Sequence, residues 1–166
     1  MEAGARGFTL MELVMVMVLF GIVAAVAAPV MSSSFQAYFT GRDIAEADWQ
    51  ARVAIERMTR ELRAMRAPSD LVITAADNIS FVDADGTPIR FCAGGGGGCG
   101  GAAGDLMRNG QPLASGISSL GFSFLTRSAT PTAIAAQVYY VTVSFTATRG
   151  TISKAHRTTV SPRNFP

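Results

Sequence analysis

The hydrophobic pattern divides the chain into three stretches. Residues 13–31 are an unbroken apolar run of 19 side chains. As a helix at 1.5 Å per residue the run would reach about 28 Å, close to the roughly 30 Å hydrocarbon core of a bilayer. It therefore predicts one membrane crossing. The run exceeds the apolar core of a secretory signal, about 7–15 residues, and lacks a small-residue cleavage site with the right flank. Pro29 removes a backbone donor and predicts a kink in this helix. Ser32, Ser33, Ser34 and Gly41 weaken the next stretch. Ile44, Asp48, Ala51, Ile55, Met58, Leu62 and Met65 then recur at spacings of four and three, an amphipathic stripe interrupted at Asp48 and widened by Trp49 and Val53. Glu56 with Arg60, and Arg57 with Glu61, are set four apart and are assigned to the outer face. Pro68 predicts the end of the helix, and Ala67 before it is already biased away from helical backbone. A continuous helix over 8–67 would be about 90 Å long. Its first, apolar half needs lipid or other subunits. The stripe at 44–65 is read as core contact with the carboxy-terminal domain.

After Pro68 the pattern is that of strands: 71–74, 79–82, 89–92, 106–108, 111–113, 117–125, 138–148 and 152–160. Asp85-Gly86 and Asn109-Gly110 predict tight hairpins, with Thr87-Pro88 entering a strand near an edge. In 138–148 Tyr139, Val141, Val143, Phe145 and Ala147 share one face, predicted buried, and Tyr140, Thr142, Ser144 and Thr146 the wetter one. Residues 126–137 read as a surface loop, and Arg149-Gly150 as a turn. One helix succeeded by consecutive antiparallel strands is an α+β fold, a long amino-terminal helix packed on a carboxy-terminal antiparallel β domain.

Composition adds the compartment. Only 16% of the 166 residues are charged and 49% are hydrophobic, in keeping with a membrane-anchored, exported single domain. Arg6 and the amino terminus precede the apolar run and favour a cytoplasmic amino terminus, a bias that Glu2 partly offsets. Residues 70–105 hold five acids and the single base Arg90, whereas 106–166 hold six bases and no acid. Such asymmetry marks either a subunit contact or polyanion-binding face, or neighbouring strands that compensate each other; the second is the preferred reading.

Immediately before the run stands Gly7-Phe8-Thr9-Leu10-Met11-Glu12. A carboxylate next to a membrane helix is costly, so Glu12 needs a reason. By residue chemistry alone two reasons stand level. Glu12 caps the helix at headgroup level, where acids are favoured, or it neutralises a cation in an assembly. The hexapeptide and the apolar helix behind it resemble the leader junction of type IV prepilins and type II secretion pseudopilins. The resemblance implies cleavage between Gly7 and Phe8 by a prepilin peptidase, N-methylation of Phe8, and retention of the helix, with Pro29 at a familiar kink position. It implies that residues 1–7 are a leader, 8–31 a transmembrane and assembly helix, 32–67 its amphipathic continuation and 68–166 a periplasmic β domain. Phe8 and Glu12 would share a helical face, and the new amine of one subunit would meet Glu12 of a neighbour and set its register.

Two further segments, Arg57-Met58-Thr59-Arg60-Glu61-Leu62-Arg63 and residues 106–117 leading into Leu120-Gly121-Phe122-Ser123-Phe124, resemble the J-type minor pseudopilins and the similar PilW-type minor pilins. This implies a low-abundance subunit that initiates or caps a filament, with other minor and major pseudopilins or pilins and an inner-membrane assembly platform as partners. Glu12 departs from the K-type subunit, which typically lacks that acid. The implied location is the bacterial inner membrane, single-pass with the carboxy-terminal domain periplasmic, then the filament. A minor type IV pilin for adhesion or DNA uptake is the alternative within the family, and the basic last third keeps nucleic acid as a lesser candidate partner. A signal-anchored periplasmic binding domain is the alternative of another class.

Cys92 and Cys99 flank Ala93 and five glycines. In an exported domain a disulfide is the default, with a free thiol pair as the alternative. The glycines lack the lysine and helix start of a phosphate loop. His156, the one histidine, does not make a metal site with two distant cysteines. Asp83 and Asp85 fit a turn, and are too few ligands for calcium. No enzymatic motif, metal or cofactor is expected, so the work predicted for this chain is assembly.

Overall fold

The computed structural model describes residues 7–96 and 98–165. Glu2 and Arg6, on which the predicted topology rests, lie outside them. The chain separates into two compact units, Met1–Arg42 and Asp43–Pro166. Helix α1 (Leu10–Arg63) supplies the helical part of the first unit, and from Asp43 onward it belongs to the second. It continues through Pro29 without interruption. Just past the proline the Val30 carbonyl accepts hydrogen bonds from the Ser33 and Ser34 hydroxyls at 3.0 and 2.8 Å, so these serines bond back onto the helix.

The second unit is α+β. Strands β1 (Val72–Ala75), β2 (Asn78–Val82), β3 (Pro88–Ala93), β4 (Asp105–Arg108) and β5 (Gln111–Ser115) form one antiparallel sheet in chain order. Strands β6 (Ile117–Leu125), β7 (Tyr140–Arg149) and β8 (Ile152–Val160) form a second, also antiparallel. The antiparallel β domain expected from the sequence is thus built as two sheets. Asn109 and Gly110 both have positive φ, 48° and 79°, as a two-residue hairpin of this hand requires. The Asn109 side chain accepts from the Arg90 N–H and donates to the Pro88 carbonyl, which fastens the β4–β5 turn to β3.

One hydrophobic core joins both sheets to the helix, with Ala47, Ala51, Ala54, Met58 and Leu62 from α1, Phe81 and Phe91 from the first sheet and Val141, Val143 and Phe145 from the second. The stripe keeps Ala51, Met58, Leu62 and Met65 of the expected set in the core and shifts at its flanks. Ile44 and Trp49 are exposed, Trp49 at 61%, while Ala47 and Ala54 are buried. Small side chains win this face because they let the helix backbone approach two sheets closely. Glu61 also departs from its predicted outer position. It is buried, and its carboxylate accepts from Arg57 and, through both oxygens at 2.8 Å, from Nε of Arg108 on β4.

Residues 64–67 are not helical, so the helix stops short of Pro68. The backbone is drawn off by the β2–β3 hairpin: Ala64 O accepts from the Ala84 N–H and the Arg66 N–H donates to Val82 O. The end of the helix is closed from far along the chain, by Arg163 N–H donating to Arg63 O and Asn164 Nδ2 donating to Met65 O. In β7 the buried face holds Val141, Val143, Phe145 and Ala147, but Tyr139 precedes the strand and is half-buried. Thr142, assigned to the wet face, is 1% exposed. As a middle strand β7 is flanked on both sides, and the Thr142 hydroxyl pairs with that of Thr159 at 2.9 Å.

This packing can be tested at two places. Leu62→Ala should cost about 2–5 kcal/mol, since it leaves a cavity in the core, and Trp49→Ala less than about 0.5 kcal/mol; urea unfolding of the full chain in detergent micelles measures both. The Lys154 ammonium hydrogen-bonded to Asp48 holds that carboxyl below its usual range, and Arg66 does the same for Asp70. Their folded pKa values are lowered, so the stabilisation they give is present above the ordinary aspartate range and is lost as pH falls through the folded values. Carbon-13 titration of both carboxyls should show midpoints below those of a model aspartate. Both sites are in solvent, so added salt should move the midpoints back upward.

Candidate functional site

The residues with the clearest chemistry gather where α1 begins. The Thr9 carbonyl accepts from the N–H groups of Glu12 and Leu13 at 3.1 and 3.2 Å, and its hydroxyl accepts from the Glu12 N–H at 3.3 Å. Thr9-Leu10-Met11-Glu12 thus has the spacing of a capping box, with threonine as N-cap and the acid at the third helical position. Glu12 lies in the first turn, at the positive end of the helix dipole. Phe8 falls before the helix, so it does not share a helical face with Glu12 as expected. The cap is the reason: once the Thr9 hydroxyl takes an orphan N–H, helical geometry has no need to reach further back.

Gly7 and Phe8 are open to approach. A side chain built on Gly7 would meet nothing within 4 Å, and Phe8 is 82% exposed. Behind them every side chain of residues 10–31 is exposed. Among the described residues α1 is long and apolar enough to cross a membrane, and the window that qualifies it has no buried residue. Apolar surface on this scale is unfavourable in water at about 25 cal/mol per Å². The segment combines an accessible peptide bond, a capped helix start with one acid, and an apolar shaft.

The second cluster is the glycine tract. Cys92, at the end of β3, and Cys99 are joined in a disulfide, Cα to Cα 6.2 Å, and pack with buried Met107. The loop is tied down by Gly94 N–H donating to Asp105 O at 2.8 Å. Gly95, at φ 86°, lies against the Ala103 backbone where a side chain would collide. Among the described residues the tract leads into strand β4 and not into a helix start. Asp83 spends one carboxylate oxygen on the N–H groups of Asp85 and Thr87, inside its own turn. His156 stacks on Phe145 with ring centroids 5.5 Å apart. Among the described residues no three His, Cys, Asp or Glu side chains gather as a metal site.

Charge compensation differs from the expectation that neighbouring strands balance each other. Arg108 and Lys154 are matched by the helix acids Glu61 and Asp48, and Arg127 lies over the Tyr139 ring at 5.3 Å. Sequence spacing missed Glu61 because its partner is 47 residues away; an acid beside a buried methionine–leucine stripe was the available signal.

Reduction of the full chain should add two hydrogens to its intact mass, and opening a loop of this size should lower stability by about 2.5 kcal/mol on the chain-entropy estimate. Mass spectrometry and urea unfolding with and without reductant measure both.

Comparison with known proteins bears on the first cluster. No match was found among curated proteins or among solved structures. A family model described as the prokaryotic N-terminal methylation motif matches residues 3–28, the stretch that holds the Gly7–Phe8 bond, the helix cap and most of the apolar shaft. That match and the apolar helix support a type IV pilin-like or pseudopilin protein, a membrane-anchored structural subunit processed by a prepilin peptidase and assembled with other pilins.

Proposed function

We propose that this chain is a minor pseudopilin of a type II secretion system, a subunit that initiates or caps the pseudopilus. The observation that carries the reading is the open Gly7–Phe8 bond set directly before a capped, acid-bearing and wholly exposed apolar helix. Cleavage there frees an amine at Phe8, and methylation leaves its charge in place. The shaft then leaves lipid for a bundle of like helices, with Glu12 of one subunit taking up the amine of the next. An ion pair inside such a bundle is worth most as a register device, since a misplaced subunit leaves a charge buried and unpaired. Pro29 would give the shaft a bend for that transfer. The segments around Arg57–Arg63 and 106–124 support a minor subunit over the repeating one by their likeness to J-type pseudopilins.

The test is a deletion strain whose culture supernatant is compared with that of the complemented strain. The expected result is loss of specific exported proteins, which stay in the periplasm, and failure of Glu12→Ala to restore them. The mature chain from the same cells should begin at a methylated Phe8 by mass spectrometry. An unchanged supernatant with reduced pilus number would instead make the chain a minor type IV pilin. An uncut amino terminus in cells that hold the peptidase would overturn the whole filament reading.

A further inference from the structure

Between α1 and β8 lie two adjoining grooves of about 590 and 510 Å³, both lined by Ile55 and Glu56. They exist because the middle of the inward face of β8 is polar. Phe145 of β7 pairs with His156, so that face carries Lys154, His156 and Thr158 between Ile152 and the buried Val160. The three polar residues cannot close onto the helix as apolar side chains would. Two buried polar atoms without a hydrogen-bond partner face this gap, Thr59 Oγ1 in the first groove and His156 Nε2 in the second. Such atoms are rare in folded proteins and ask for an explanation.

The edge of the second sheet supplies one. β8 is its outer strand, paired along nine residues with β7 in unbroken register. The other outer strands, β1, β5 and β6, each carry a register shift in their pairing. Bulges of that kind blunt an edge against further pairing, and β8 has none. Charge then selects what may pair. The groove lining holds the five cations Arg52, Arg60, Arg63, Lys154 and Arg163 against two carboxylates, Asp48 and Glu56. Both carboxylates are already committed, Asp48 to Lys154 and Glu56 to Arg60.

We propose that the groove between α1 and β8 is a docking site for an extended, acidic segment of a partner protein, added as a further strand to the open edge of β8. Main-chain hydrogen bonds to β8 would give affinity, and alternate acidic side chains would meet Arg63 and Arg163 at one end and Arg52 at the other. The residues involved all belong to the second unit, so the proposal does not depend on the filament role.

The probe is a fluorescein-labelled peptide of alternating glutamate and valine, of the length of β8, titrated into the full chain in detergent micelles. Binding is read by anisotropy, and the site by hydrogen–deuterium exchange. The expected result is binding that protects β8 amides and leaves β1 unchanged. Replacing glutamate with lysine, or methylating alternate peptide nitrogens, should each weaken it about tenfold or more. Arg63→Glu with Arg163→Glu should do the same. Both positions are exposed, so an unchanged melting temperature would show that the fold is intact. The proposal is overturned if the acidic peptide does not bind or protects a surface other than β8. Equal binding of the N-methylated peptide would leave an anion groove without strand addition, and inorganic phosphate competing at low concentration would reduce it to a small-anion site. Concentration-dependent dimers abolished by the double variant would make a second copy the occupant in place of a partner.

Discussion

An apolar helical surface that its own chain leaves bare sets the terms for this protein. From Leu10 to beyond Met31 the side chains lie open, and no arrangement of a single small domain removes that cost in water. The surface is stable in lipid or against other helices, and both settings exclude water from the same side chains. Exchange between them changes neighbours without changing the environment much. A chain of this kind can therefore leave a bilayer for an assembly without unfolding its anchor. Glu12, in the first turn of the helix, is the acid that either setting has to accommodate.

The second unit solves a different problem with the same helix. Its buried face is built on Ala47, Ala51 and Ala54 and becomes bulky only at Met58 and Leu62. Close approach at one end and filling at the other fit a helix laid across two sheets at different depths. Glu61 then fixes the rotation of the helix. It is held by Arg108 from β4 and by Arg57 from its own turn, and a turned helix would bury that carboxylate unpaired. The price of specificity is one buried carboxylate in two ion pairs, where an apolar residue would be buried as well.

What could be read from the chain alone was what local chemistry decides. Gly110 and Gly86 permit the turns that set two hairpins, and alternation located β6, β7 and β8 within two residues of where they run. The apolar shaft was plain from its length. What escaped was decided across distance. An alanine looks neutral on a helical wheel until a sheet comes close, so Ala47 and Ala54 went unseen and Trp49 was drawn inward by its size. Thr142 is buried by its position as a middle-strand residue, which alternation does not encode. The helix end was placed by Pro68, whereas the β2–β3 hairpin claims the backbone at Ala64 first. At the candidate site the motif residues were legible, but the Thr9 cap that puts Phe8 outside the helix was not, since capping and helical continuation compete for the same few N–H groups.

The fastening of the helix end by Arg163 and Asn164 has a consequence in time. Asn164 closes on Met65 from 99 residues further along. At synthesis rates of about 5–20 residues per second, roughly 5–20 s separate the two. Throughout that interval the methionine and leucine face of α1 has no complete cover. The domain must therefore tolerate a waiting state, and its alanines are suited to it, for they present little sticky surface to a passing chain. Within the second unit the bulky residues sit nearest the point that closes last, so the late exposure there is confined to about two helical turns.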